Sequence, residues 1–303
     1  MATVVGDGLH DSVMIGKDGR RIAWREGGDR QGRPLVALHG LPGSRLKFDV
    51  ASEHARTLAI RLISPDRWGY GETDPHPQPS LRGYAEDIEV LADHLALGRF
   101  SVMGVSGGGP YAAAVAACLP DRITSTALVA PVGPIAGEDD REIDAFHRFC
   151  FGPFARNRRA RERVFAAFRS MMLASPRLAM AVAMARVPAV DRRVLRGDGV
   201  SERLARTFAE GLRRSAHGPV TDMQLFGQPW DIPFERVTAP SGLWLGGKDR
   251  SVPASAARRL AARLPDCTVF SLPDEGHLWI AQNYAEVLKW VISMEKSAVP
   301  ATP

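Results

Sequence analysis

Gly104-Val105-Ser106-Gly107-Gly108 holds the residue best suited to covalent chemistry. A mostly apolar run, Phe100 to Met103, leads into it, and the small-residue run Gly109 to Ala116 leads out. This is a strand, a tight turn and a helix, the setting in which a G-x-S-x-G serine stands exposed above a sheet. Glycines two before and two after the serine let strand and helix approach closely. A serine hydroxyl is a weak nucleophile until a neutral imidazole takes its proton. His277 supplies an imidazole in Asp274-Glu275-Gly276-His277, and Asp249 supplies a carboxylate in Gly246-Gly247-Lys248-Asp249. A carboxylate beside the imidazole fixes its tautomer and stabilises the imidazolium. Asp274 and Glu275 are nearer to His277 in sequence, so the carboxylate has more than one candidate.

The elements that must position these groups are legible in the hydrophobic pattern. Val13–Ile15 and Arg21–Trp24 read as short strands around a Gly16-Lys17-Asp18-Gly19 turn. Pro34–Leu38 is a continuous apolar run, as expected of a strand buried on both faces of a parallel sheet. Further strands are expected at Arg61–Ser64, Phe100–Gly104, Ile123–Val129, Leu243–Leu245 and Cys267–Leu272. Helices are expected over Phe48–Thr57, over Ser80–Leu97 with Ser80 as cap and Gly98 closing, over Ala254–Leu264 and over Leu278–Met294. Alternation of strand and helix from Pro34 onward predicts an α/β fold. Ser106, Asp249 and His277 each follow a strand, and parallel strands bring such ends to one edge.

His39-Gly40-Leu41-Pro42-Gly43 follows the buried strand Pro34–Leu38, where an α/β sheet places ligands. The Leu41 N–H is the natural partner of the Gly107 N–H in an oxyanion hole. Two such donors each stabilise a tetrahedral oxyanion by on the order of 3 kcal/mol. His39 is expected to brace its loop by hydrogen bonding, and Asp66 to bond backbone within Asp66–Asp74.

From 134 to 236 the rhythm changes to helices without a convincing strand. The core is expected over 1–133 and 237–303, with 134–236 as a helical lid inserted after the sixth strand. Aromatic and methionine side chains concentrate in this insertion. The candidate substrate-binding residues are Phe146, Phe149, Phe165 and Met172, with Leu278 beside His277, around a mainly apolar acyl pocket. The basic run Arg156–Arg163 reads as a solvated helix face.

Bulk properties narrow the function classes. The 303 residues are 45% hydrophobic and 24% charged, with a net charge of +5 supplied mainly by scattered arginine. Neither a nucleic-acid partner nor a membrane span is expected. Met1–Asp11 lacks a basic segment followed by an apolar one, so no signal peptide is expected and the cytoplasm is the default location. Cys118, Cys150 and Cys267 are far apart and show no metal spacing, so neither a disulfide framework nor a metal is expected.

Taken together, His39-Gly40-Leu41-Pro42-Gly43, Asp66-Arg67-Trp68-Gly69-Tyr70-Gly71, Gly104-Val105-Ser106-Gly107-Gly108, Gly247-Lys248-Asp249 and Gly276-His277 resemble the α/β-hydrolase superfamily. The resemblance covers all but the insertion and the termini. It implies a mostly parallel eight-stranded sheet flanked by helices, with Ser106 as nucleophile, His277 as base and Asp249 as its orienter. It also implies the Leu41 and Gly107 N–H groups as oxyanion donors. Asp274 ranks behind Asp249, because the family's acid commonly follows the preceding strand.

Relatives that displace halide or open epoxides use a carboxylate nucleophile, whereas this chain has Ser106. Proline iminopeptidase-like relatives usually carry a Gly-Gly-x-Trp-Gly elbow and acidic lid residues for an amino terminus. The elbow here lacks the tryptophan, and Glu138, Asp139 and Asp140 are weak counterparts of the acids. The expected function is therefore a serine hydrolase of the carboxylesterase type, acting on a small-molecule ester without cofactor. Hydrolysis of carbon–carbon bonds in ring-fission products, and ligand binding by a receptor on the same fold, are the rivals.

Overall fold

In the computed structural model, residues 3–5, 8–135 and 143–297 are described. Nine strands form one sheet in the order β1-β2-β3-β5-β4-β6-β7-β8-β9. They are β1 (Thr3–Val5), β2 (Leu9–Ile15), β3 (Arg21–Gly28), β4 (Arg33–Leu38), β5 (Ile60–Pro65), β6 (Phe100–Val105), β7 (Ile123–Val129), β8 (Ser241–Gly246) and β9 (Cys267–Leu272). The eight strands expected from sequence are all present. Thr3–Val5 adds a ninth at the antiparallel edge; three residues are too few to show a period.

β1, β2, β3 and β5 pair antiparallel in turn, and every later pairing is parallel. The central parallel strands β6, β7 and β8 are almost wholly buried because both faces are covered, whereas β9 at the parallel edge is half exposed. One face packs on the helices Leu81–His94 and Gly109–Cys118 through residues such as Ile88, Leu91, Tyr111 and Val115. The other packs on Phe48, Ala55 and the helix Ile280–Ser297 through Tyr284, Leu288 and Val291.

Two helix boundaries depart from the pattern-based expectation. The Ser80 hydroxyl caps its helix by accepting from the Gly83 N–H at 2.8 Å, but the helix ends at His94. The left-handed residue of the exit is Ala96 (φ +52°), not Gly98. The segment expected as one helix over Phe48–Thr57 is a 3-10 helix, Arg45–Ala51, followed by an α-helix, Ser52–Thr57.

Between β7 and β8 the described residues contain helices and no strand, the longest being Arg158–Ala174 and Val200–Gly211. Met172, Met180, Leu204, Phe208 and Leu212 form a small core within this insertion. The basic run before Val164 is only partly a solvated face. Arg158 pairs with Glu162 in solvent, whereas Arg161 turns inward to the Ala155 carbonyl and Gln224. Among the described residues no helix is long and apolar enough to cross a membrane. The three cysteines are free.

Candidate active site

β6 ends at Val105 in extended conformation, and Ser106 then turns to φ +55° before the helix Gly109–Cys118 begins. A non-glycine residue at positive φ is strained, and such strain persists only where the surroundings enforce it. Here the Ser106 carbonyl accepts from the Val132 N–H (3.1 Å). Close packing excludes side chains around the turn: a Cβ on Gly104 would strike the Gly108 carbonyl, and one on Gly108 the Leu38 and His39 carbonyls.

His277, on the loop after β9, places Nε2 3.0 Å from Ser106 Oγ and Nδ1 2.7 Å from Asp249 Oδ2. With the proton on Nδ1 directed at Asp249, Nε2 is free to accept the serine hydroxyl. The Asp249 side chain, on the loop after β8, is fully buried. Its Oδ1 accepts from the N–H groups of Ser251 (2.7 Å) and Val252 (3.2 Å). Asp274 points elsewhere, pairing with Lys248 at the surface. Burial opposes charge on the imidazole, but Asp249 beside it, with help from Asp191, holds the His277 pKa above its ordinary value.

The backbone of Gly40 and Leu41, after β4, lies directly against Ser106 and Gly107. The Gly107 N–H belongs to a first helical turn, where N–H groups lack intrahelical acceptors. Together with the Leu41 N–H it can receive developing negative charge beside Ser106. His39 is buried and braces this loop. Its Nδ1 donates to the Gly40 carbonyl (2.9 Å), and its Nε2 accepts from the Arg67 N–H (3.0 Å). Burial, reinforced by Arg67, keeps it neutral, with a pKa well below the usual value. Asp66 bonds backbone as expected, accepting from Arg45 and Glu72 N–H groups.

Among the charged contacts that tie the helical insertion to this platform, three involve acids of the insertion that sequence reading missed. Asp191, on the helix Ala189–Leu195, accepts from the N–H groups of His277 (3.1 Å) and Leu278 (2.9 Å). Asp222, on His217–Phe226, makes a two-pronged ion pair with Arg67 at 2.5 and 2.7 Å, both side chains being buried. Asp222 also accepts from the hydroxyls of Tyr70 (2.7 Å) and Tyr111 (2.6 Å). Arg67 in turn donates to the His39 and Gly40 carbonyls. Glu210 reaches Arg45, which also holds Asp66. The signal for Asp222 was a lone acid in a helix whose neighbours Met223, Leu225 and Phe226 are all buried.

A cavity of about 510 Å³ opens over Ser106 and His277. Of the residues expected to line it, Phe146 and Leu278 do so. Phe149, Phe165 and Met172 do not. Phe149 is 56% exposed, Phe165 packs against Phe154, and Met172 is buried in the insertion's own core. The apolar wall is instead completed by Phe151, Val182, Met184 and Phe208. Glu138, Asp139 and Asp140 lie outside the described residues.

Residues 33–284 match the family model described as alpha/beta hydrolase fold. A non-heme chloroperoxidase of Streptomyces lividans is 32% identical over 139 residues, 45% of this chain and 50% of that protein. A proline iminopeptidase of Lactobacillus helveticus is 37% identical over 100 residues, 31% of this chain and 34% of that protein. The chain thus spans half or less of the length of these two curated relatives. Among solved structures, a thermophilic esterase from Thermogutta terrifontis superposes with a TM-score of 0.67 at 20% identity. That superposition covers 95% of this chain and 98% of the esterase.

Proposed function

The chain belongs to the alpha/beta hydrolase fold family, and from that premise we propose that it is a serine hydrolase cleaving carboxylic esters through an acyl-enzyme on Ser106. The observation that carries this reading is the continuous chain from Ser106 Oγ to His277 to buried Asp249. The nearness of the Leu41 backbone to Gly107 supports the same reading. Ser106 attacks the acyl carbonyl while His277 takes its proton, and the Leu41 and Gly107 N–H groups hold the oxyanion. His277 then protonates the departing alcohol and activates the water that releases the acid.

The insertion, 134–236, acts as a lid that roofs the cavity. Its volume of about 510 Å³ lies within the range of small-molecule pockets. Its largely aliphatic and aromatic wall suits small to medium apolar acyl groups.

The test is hydrolysis of p-nitrophenyl esters from acetyl to dodecanoyl, with Ser106→Ala in parallel. Ser106-dependent turnover with an optimum at short to medium chain length is expected. Turnover retained by a clean Ser106→Ala preparation would overturn the assignment.

A further inference from the structure

Besides Ser106, Ser251 and His277, the largely apolar wall of the Ser106 cavity carries three cationic side chains. Lys47, Arg186 and Arg250 line it, and no aspartate or glutamate does among the described residues. The three arise from separate parts of the chain. Lys47 lies on the 3-10 helix Arg45–Ala51, just past the loop that carries Leu41. Arg186 belongs to the insertion, and Arg250 follows Asp249.

The three differ in depth. Arg186 and Arg250 are exposed and stand at the rim, the Arg186 guanidinium resting over the Phe146 ring at 4.1 Å. Such stacking holds a guanidinium in place without consuming its hydrogen-bond donors. Lys47 is half-buried and close enough to His277 for its charge to act on the imidazole.

Lys47 is the anomaly. Three of the buried arginines are matched by carboxylates, Arg25 by Asp11 and Asp49, Arg45 by Asp66 and Glu210, Arg67 by Asp222, and a fourth, Arg161, is held by the Ala155 carbonyl and Gln224. Lys47 has no such partner among the described residues. Burial, unrelieved by any neighbouring acid, brings its pKa down to about 8, so it still carries its charge at neutral pH. A desolvated cation without a counter-ion is costly. A bound anion removes that cost, and burial of the ammonium strengthens the attraction. An ammonium-bearing substrate, such as a peptide amino terminus, would meet repulsion from all three groups.

We propose that Lys47, assisted by Arg186 and Arg250 at the rim, recognises a carboxylate on the substrate, so that the preferred ester is a half-ester or another carboxylated ester rather than a neutral one. This deepens the esterase reading and rests on it.

The experiment uses matched pairs of esters at pH 7. For a carboxylate on the acyl side, p-nitrophenyl hydrogen glutarate is compared with its neutral isostere, p-nitrophenyl 5-methylhexanoate. For a carboxylate on the alcohol side, m-carboxyphenyl butanoate is compared with m-isopropylphenyl butanoate. In at least one pair the wild type should favour the carboxylate in kcat/KM by about tenfold or more, the scale of one hydrogen bond to a charged group. Lys47→Met should remove that preference and Lys47→Arg should keep it. Preference for the neutral ester in both pairs, or a ratio unchanged by Lys47→Met, overturns the proposal.

A second readout is independent of turnover. Monomethyl glutarate is titrated calorimetrically into Ser106→Ala and into Ser106→Ala/Lys47→Met. Binding that requires Lys47 supports the anion site even if every ester proves inert, an outcome that would sink the esterase reading alone. Absence of binding, or binding indifferent to Lys47, overturns the anion site.

Discussion

Asp191, on the helical insertion, accepts hydrogen bonds from the backbone N–H groups of His277 (3.1 Å) and Leu278 (2.9 Å), so the insertion and the histidine loop share one anchor. The contact does two separable things. It fixes the backbone that carries the imidazole, and its charge favours the imidazolium. Asp191→Asn keeps an acceptor oxygen but removes the charge. The acid limb of kcat/KM should therefore shift to lower pH than in wild type, with the fold retained. Asp191→Ala also strands buried N–H groups, at about 1–3 kcal/mol for an unsatisfied donor, and should lower kcat through misplacement of His277. An acid limb that stays put in Asp191→Asn would remove Asp191 from the site's electrostatics.

Ser106→Ala should abolish the chemical step, with a loss on the order of 10⁶ in kcat, the scale seen when a comparable nucleophile is removed. The positive φ of Ser106 makes a further distinction possible. Alanine at φ +55° carries about the same strain as serine, so the thermal midpoint should barely move. Loss of activity together with loss of fold would make the variant uninformative about the hydroxyl, and circular dichroism separates the two.

His277 must be neutral to accept the serine proton. Burial lowers its pKa, but Asp249 and Asp191 outweigh burial, so its pKa lies above the ordinary value, which is about 6.5. Activity should rise with pH through a midpoint above about 6.5 and then level off. In Asp249→Asn the one remaining oxygen stays on the Ser251 and Val252 N–H groups and an amide NH2 faces Nδ1, which inverts the tautomer and should cost about 10⁴ in kcat. A midpoint well below 6 in the wild type, measured where chemistry limits the rate, would contradict this electrostatic balance.

The buried Arg67–Asp222 pair joins the oxyanion loop to the insertion. Asp222→Ala leaves a guanidinium buried without its counter-ion and two tyrosine hydroxyls without an acceptor. The expected loss is about 3–5 kcal/mol, read as a lower denaturation midpoint in urea. Replacing both members of the pair by apolar residues of similar volume should recover part of the loss, since the single variant's penalty is mainly that of an orphaned charge. A midpoint unchanged in Asp222→Ala would show that the pair contributes nothing to holding the insertion.

The sheet and the strand-end loops were legible in the sequence because their rules are local. An apolar run such as Leu35–Leu38 marks a strand buried on both faces, and glycines around Ser106 mark a close turn. A polar residue directly after a strand lies at the sheet edge by connectivity alone. For the same reason Ser106, Asp249 and His277, with the Leu41 and Gly107 N–H groups, could be nominated before any packing was known, the choice of Asp249 over Asp274 resting on the family resemblance.

The insertion obeys no such rule. Phe146 and Phe149 are three residues apart, yet one lines the cavity and the other faces solvent. Met172 and Met184 have the same chemistry, but one is buried in the insertion's own core and the other, at that core's margin, lines the Ser106 cavity. The rotation of each helix is set by its contacts with other helices and with the sheet. The meetings of Asp191 with His277, Asp222 with Arg67, and Lys47 with the cavity join segments distant in the chain, and only the tertiary structure decided them.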